Sequence, residues 1–152
     1  MCIRDRGSDL AGRELHPVVQ VSWHDAQAFC EWAGLALPDE EQWEHAARGS
    51  DGRLYPWGDR WRPELCNHAQ SGWRGTTPVD AFPGDASPYG VRCLAGNVWE
   101  WTASTYDPAG AYQVLRGGAW PHDGRALTAT FRYYALPGYR SDALGFRCAR
   151  ID

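Results

Sequence analysis

Thiols and imidazoles are the side chains of this chain that could hold a metal or attack a substrate. Five cysteines, Cys2, Cys30, Cys66, Cys93 and Cys148, are scattered along it. No C-x-x-C occurs, which argues against a structural zinc site, and the number is odd and too low for a disulfide scaffold. The five histidines, His16, His24, His45, His68 and His122, include no pair at a ligand spacing such as H-E-x-x-H. A non-haem iron triad needs two histidines and a carboxylate that converge, and His122 with Asp123 supplies only part of one. The densest stretch is GVRCLAGNVWEW, from Gly90 to Trp101. A turn of glycine and Asn with one carboxylate can hydrogen-bond its own backbone or hold a hard cation through its carbonyls. Downstream, Arg116, Arg125, Arg132, Arg140 and Arg147 accompany Trp120, Phe131, Tyr133, Tyr134 and Tyr139. Guanidinium groups among aromatic planes suit a peptide, a carboxylate or a flat ligand.

These groups need a scaffold, and 152 residues suffice for one domain with a real core. Nine tryptophans, seven tyrosines, 17 glycines and 10 prolines predict a loop-rich fold in which aromatic anchors replace regular elements. A net charge of −4 without a basic run argues against a nucleic-acid partner. No apolar run approaches the ~20 residues of a membrane span. The opening MCIRDR matches nothing that follows and has no apolar core of a signal peptide. Residues 1–9 therefore read as a non-native or disordered head and 10–152 as the domain.

Pro17 to Trp23 alternates like a short strand at Val18, Val19 and Val21. Ser22 then caps a helix, with Asp25 at the third position completing a weak capping box. Ala26, Phe29, Cys30 and Ala33 form its inner face, and Gly34 ends it. Asp39 and Gln42 box the start of a second helix, whose inner face is Trp43, Ala46 and Ala47 and whose end is Gly49. His24 and His45 on these helices are expected to face solvent. From Trp61 to Tyr89 four prolines and three glycines leave no periodic element. Short strands are expected at Val98–Thr102, Tyr112–Arg116, Ala129–Tyr133 and Gly145–Ala149. The fold class is α+β, two helices before a small antiparallel sheet.

In order along the chain stand VSWHDAQAFCEWAG, LPDEEQWEHAARG, YPWGD, TTPVDAFP, GNVWEWT, VLRGGAW and GFRCAR. Together they resemble the formylglycine-generating enzyme, or sulfatase-modifying factor, family from His16 to Arg150. The resemblance implies a variant C-type-lectin-like fold and a domain truncated at its N-terminal side. It also implies several functions: copper oxidases that turn a sulfatase cysteine into formylglycine, iron-dependent sulfoxide synthases, and binding proteins that include retroelement-diversified ones. Membership constrains fold more than function.

The copper oxidases carry two cysteines shortly after the GG motif. Here the segment is GGAWPHDGRALTATFRYY, Gly117 to Tyr134, with His122 about where the first would stand and no cysteine between Cys93 and Cys148. Copper chemistry of that kind favours soft thiolates, so copper and formylglycine generation are not expected. Iron is expected only if ligands lie upstream. The resemblance further implies two structural calcium sites. One uses the Asn67 side chain, the His68 and Trp73 carbonyls and Ser71. The other uses the Gly96 and Val98 carbonyls and Glu100, with Cys93 where an oxygen ligand is usual, so weakened binding is expected there. The alternative is that Asn97 and Glu100 hydrogen-bond the loop without an ion. By resemblance Cys30 and Cys148 pair in a disulfide if the protein is exported. The same resemblance makes 117–134 the wall of a ligand groove, with Trp99, Trp120, His122, Asp123, Arg125, Arg132 and Tyr133 as lining candidates. Arg116 and Arg147 are instead expected to pair with buried carboxylates or carbonyls.

These residues predict a binding or accessory domain, a pseudoenzyme without catalytic residues of its own, taking a peptide or small molecule. The alternatives are the C-terminal part of a non-haem iron oxidase or sulfoxide synthase and a retroelement-diversified receptor. Ligand, compartment and oligomeric state are left open by the sequence.

Overall fold

The computed structural model describes residues 11–150; the head and Cys2 lie outside the described residues. Two helices come first, α1 at Trp23–Trp32 and α2 at Glu40–Arg48. Both start as the sequence dictates. Ser22 and Asp25 close a reciprocal box on α1, and Asp39 and Gln42 do the same on α2, so orphan N–H groups at each start find side-chain acceptors. Ala26 and Cys30 of α1 and Trp43 and Ala47 of α2 are buried, whereas Phe29 and Ala46 are half-buried and Ala33 is an exposed cap. His24 and His45 are exposed.

The strands are β1 at Trp99–Thr105, β2 at Gln113–Arg116, β3 at Tyr133–Ala135 and β4 at Leu144–Phe146, in the order β3-β2-β1-β4. Pairings β1–β2 and β2–β3 are antiparallel, but β4 joins β1 in parallel, Trp99 opposite Leu144 and Trp101 opposite Phe146. The sheet is therefore mixed, where the sequence predicted an antiparallel one. A parallel neighbour needs a long crossover, and everything from Thr105 to Leu144, including β2 and β3, supplies it.

Two further expectations fail locally. Val18 to Val21 forms no strand: Gln20 sits at φ 60, its N–H donates to the Ser141 carbonyl at 2.9 Å, and Val18 is exposed. Left-handed backbone ends extended pairing. The third strand begins at Tyr133 rather than Ala129, because the Thr130 and Phe131 carbonyls are both taken by Arg116 Nη1 at 3.0 Å. Residues 61–89 hold one 3-10 turn, Pro63–Leu65, and otherwise no regular element.

The main core lies between α1 and the sheet, with Ala26, Cys30, Trp99, Trp101, Leu115 and Leu144 at its centre. A smaller cluster places Trp43 and Ala47 of α2 against Leu94 and Ala129. Cys30 Sγ and Cys148 Sγ face each other at 3.2 Å across the main core. Burial, then the Cys148 thiol beside it, pushes the Cys30 thiol up to about 12. Mild oxidation is expected to remove two hydrogens from this pair. A bond between residues 118 apart in sequence closes a long loop and contributes about 4–5 kcal/mol in the chain-entropy model. Mass spectrometry and thermal melts with and without diamide check it, and an oxidised protein with an unchanged melt would contradict it.

Candidate functional site

The turn before β1 is built by backbone that few residues tolerate. Gly96 has φ 77, and a Cβ there would lie 2.2 Å from the Asn67 carbonyl oxygen. Any side chain at 96 would drive the two loops apart. Asn97, at φ 67, then ties three segments together. Its Oδ1 accepts from Thr77 N at 2.9 Å and Asn67 Nδ2 at 3.3 Å, while its Nδ2 donates to the Thr77 carbonyl at 3.1 Å. Gly118, at φ 72, makes the matching close approach: its Cβ would meet the Ala126 carbonyl at 2.6 Å.

Glu100 is 4 % exposed and is neutralised from two sides. Arg147 forks onto it, Nε to Oε2 at 2.5 Å and Nη2 to Oε1 at 2.6 Å, and Trp43 Nε1 donates to Oε2 at 2.6 Å. Arg147 Nη2 also reaches the Arg92 and Cys93 carbonyls at 3.1 Å. Burial works to lower the Arg147 pKa, but the Glu100 carboxylate outweighs it and holds the group above its ordinary value. Arg116, fully buried, forms the second pair, with the half-buried Glu44 of α2, which also holds Arg48. Here burial wins, and the Arg116 guanidinium is lowered. Both arginines thus bind carboxylates and carbonyls, as their positions predicted. The signal for Glu44 was present in the sequence: Glu40, Trp43, Glu44 and Ala47 share one helical face.

The calcium donors are placed as follows. Asn67 Oδ1 and the His68 carbonyl both lie against Ser71 Oγ, at 3.0 and 2.8 Å, and no donor among the described residues reaches the Trp73 carbonyl. This set is all oxygen and fits calcium in kind, although it carries no charge. Asn67, His68, Ser71 and Trp73 would hold the ion, which would brace the turn. The Gly96 and Val98 carbonyls are also reached by no described donor, and Val98 lines a cavity of about 390 Å³. The other members fit poorly. Glu100 already carries three hydrogen bonds from cationic and indole donors, and Cys93 points its thiol at the Val79 carbonyl, 3.1 Å away. Burial and then Asp85 push that thiol up to about 12, so it stays protonated. Arg147 is a cation already seated on Glu100, and a dication there would compete with it.

At the groove, Trp99 gathers the aromatic residues. Tyr133 stacks on it with ring centres 5.4 Å apart, His122 meets its edge at 5.4 Å, and Phe131 lies at 6.0 Å. Trp120 packs against the same core. Two atoms of this group are sealed from solvent without a partner among the described residues, Trp120 Nε1 and His122 Nδ1. Tyr133 is 48 % exposed and continues into Tyr134, Tyr106 and Tyr112, whose rings contact one another at 4.4 and 5.1 Å through Tyr134. Arg132 lies over Tyr106 at 5.1 Å and forks onto Glu40 at 2.6 and 2.7 Å. Asp123 and Arg125 sit instead in an exposed turn, with Asp123 Oδ1 accepting from Arg125 N at 3.0 Å, and neither side chain has a recorded contact with Trp99. The structure therefore brings Trp99, Trp120, His122 and Tyr133 together, sets Arg132 beside them, and leaves Asp123 and Arg125 apart. Tyr106 and Glu40 join the surface from outside the predicted segment, with no local signal in the sequence.

Each histidine keeps a different partner. His16 bonds Thr76, His45 bonds Tyr89, His68 bonds Gln70, His24 edges Trp23, and His122 edges Trp99. Among the described residues no three His, Cys, Asp or Glu side chains cluster as metal ligands, and no described helix is long and apolar enough to cross a membrane.

A loop-rich α+β domain with a small mixed sheet, braced by two arginine–carboxylate pairs that each have one buried partner, is a variant C-type-lectin-like domain. The chain belongs to the formylglycine-generating enzyme family: the sulfatase-modifying factor enzyme 1-like domain matches residues 2–151. It is 48 % identical over 160 residues to the inactive C-alpha-formylglycine-generating enzyme 2 of Mus musculus, covering 94 % of this chain and 52 % of that protein. It is 36 % identical over 173 residues to the formylglycine-generating enzyme of the same species, covering 93 % and 46 %. The chain thus spans about half the length of these curated relatives. Among solved structures, PvdO from Pseudomonas aeruginosa superposes with a TM-score of 0.77 at 23 % identity, over 87 % of this chain and 60 % of that one.

Proposed function

We propose that this chain is a binding or accessory domain of the family that does not generate formylglycine, and that it takes an extended peptide or flat ligand along the Trp99–Tyr133 surface. One observation carries the reading. The segment after Gly117–Gly118 holds no cysteine, and an aromatic cluster of Trp99, Trp120, His122, Phe131 and Tyr133 occupies its place in the fold. An imidazole does not replace a bis-thiolate copper site. Likeness to a protein named as inactive supports the reading.

Exposed aromatic rings offer large contact area at low entropic cost. Arg132 adds a cation whose counter-charge, Glu40, lies on a surface helix, so an incoming carboxylate can compete for it. Calcium in this proposal is confined to bracing the Asn67–Trp73 turn. A peptide carrying the sulfatase cysteine motif, titrated by calorimetry, tests the groove. Tyr133→Ala is expected to weaken its binding about tenfold with the fold intact by circular dichroism, a loss of about 1.4 kcal/mol that an aromatic anchor of a contact surface supplies. Unchanged affinity in Tyr133→Ala would place the ligand elsewhere.

A further inference from the structure

A second cavity, of about 320 Å³, is lined by Arg13, Trp73, Arg74, Gly75, Thr76 and Asp142 among others. It shares no residue with the aromatic groove and stands independently of it. Two of its lining residues are unpaired cations. Among the described residues eight arginines each hold a carboxylate. The guanidinium groups of Arg13 and Arg74, like those of Arg60, Arg125 and Arg150, have neither an ion pair nor a hydrogen bond among the described residues, and only these two of the five line this cavity, together with Asp142. Two guanidinium groups against one carboxylate leave the cavity with an excess positive charge.

The backbone there is also rich in donors. None of the N–H groups of Trp73, Arg74, Gly75 and Thr76 donates to a protein acceptor, although Gly75 and Thr76 are half-buried. Successive free N–H groups beside cations form an anion-binding concavity. The Thr76 hydroxyl is positioned by His16 Nδ1 at 2.8 Å. Trp73, 52 % exposed, adds a flat apolar wall. A cavity at the lower end of the small-ligand range, about 300–1,000 Å³, has room for more than a bare anion.

We infer that this cavity binds an oxyanion carried on a flat ring, with Arg13 and Arg74 forking onto the oxyanion and the Trp73 indole covering the ring. Planar guanidinium forks match carboxylate and phosphate oxygens in pairs. Asp142 faces the same space and disfavours a ligand that fills it with negative charge, so it limits affinity.

Phenyl phosphate, titrated calorimetrically into the full chain, is the probe; benzoate, inorganic phosphate and benzyl alcohol are its controls. Saturable binding of phenyl phosphate is expected, weakened by added salt. Arg13→Gln with Arg74→Gln, both at exposed positions, is expected to weaken it at least tenfold with an unchanged far-ultraviolet spectrum. Asp142→Asn is expected to tighten it severalfold. Trp73→Ala is expected to bring phenyl phosphate down to the affinity of inorganic phosphate. Benzoate binding as tightly supports a carboxylate as the group recognised, and weaker benzoate binding supports a phosphate. No saturable binding by the wild type, equal binding of benzyl alcohol, or no change in the double arginine variant would each overturn the inference.

Discussion

Glu100→Gln is expected to be the most destabilising polar substitution in this protein, costing about 3–5 kcal/mol. The change keeps volume and removes only the charge, so packing is not the cause. What is lost is the partner of Arg147, whose guanidinium would then sit against the Arg92 and Cys93 carbonyls with no counter-ion. An uncompensated charge that is three-quarters withdrawn from water is worse than no charge at all. The companion variant makes the mechanism specific: Glu100→Gln with Arg147→Met should recover much of the loss, since replacing both partners of a buried pair is often near neutral. At roughly 2–4 °C per kcal/mol for a chain of this size, the single variant melts about 10 °C lower. Denaturant titration measures both. A single variant within 1 kcal/mol of wild type would show that Glu100 does not anchor Arg147 in solution.

Arg116→Met should cost a similar amount, about 3–5 kcal/mol, by a different route. Arg116 is 0 % exposed and ties three things together: Glu44 on α2 and the carbonyls of Thr130 and Phe131. Methionine fills the space and satisfies none of them. The variant should also loosen the 130–131 turn that sets Phe131 and Tyr133 against Trp99, so faster amide exchange at Ala129–Tyr133 is expected with the stability loss. Glu44 gives the pH signature. Burial tends to raise its carboxyl, but Arg48 and Arg116 outweigh that and hold it below the ordinary glutamate value. A lowered acid contributes its stability above its unfolded value of about 4.3 and loses it as pH falls through the folded one. The wild type should therefore lose stability on acidification below about pH 5, more steeply than Glu44→Gln. Parallel acid profiles would remove the pair from the account.

Both pairs show what could and could not be read ahead of the fold. The helices were legible because their caps are local: Ser22 with Asp25 and Asp39 with Gln42 are complete within four residues. The parallel placement of β4 was not legible, because nothing within Leu144–Phe146 encodes which neighbour it joins. The start of β3 was misplaced for a related reason: alternation from Ala129 to Tyr133 is strand-like, but a distant arginine takes the carbonyls that a ladder would use. Of the groove candidates, the aromatic residues converge because burial gathers them, whereas Asp123 and Arg125 close their own turn. The partners that complete the surface, Glu40 and Tyr106, come from α2 and the end of β1, tens of residues away.

We propose that this family member binds without oxidising, and one assay tests that directly. The protein in its full-length form is incubated with copper(I), oxygen, a thiol reductant and a peptide carrying the sulfatase cysteine motif, and the peptide is analysed by mass spectrometry. The peptide is expected to be recovered with its cysteine unconverted, with no product above a metal-free control. A copper-dependent formylglycine product that grows with enzyme concentration would contradict it.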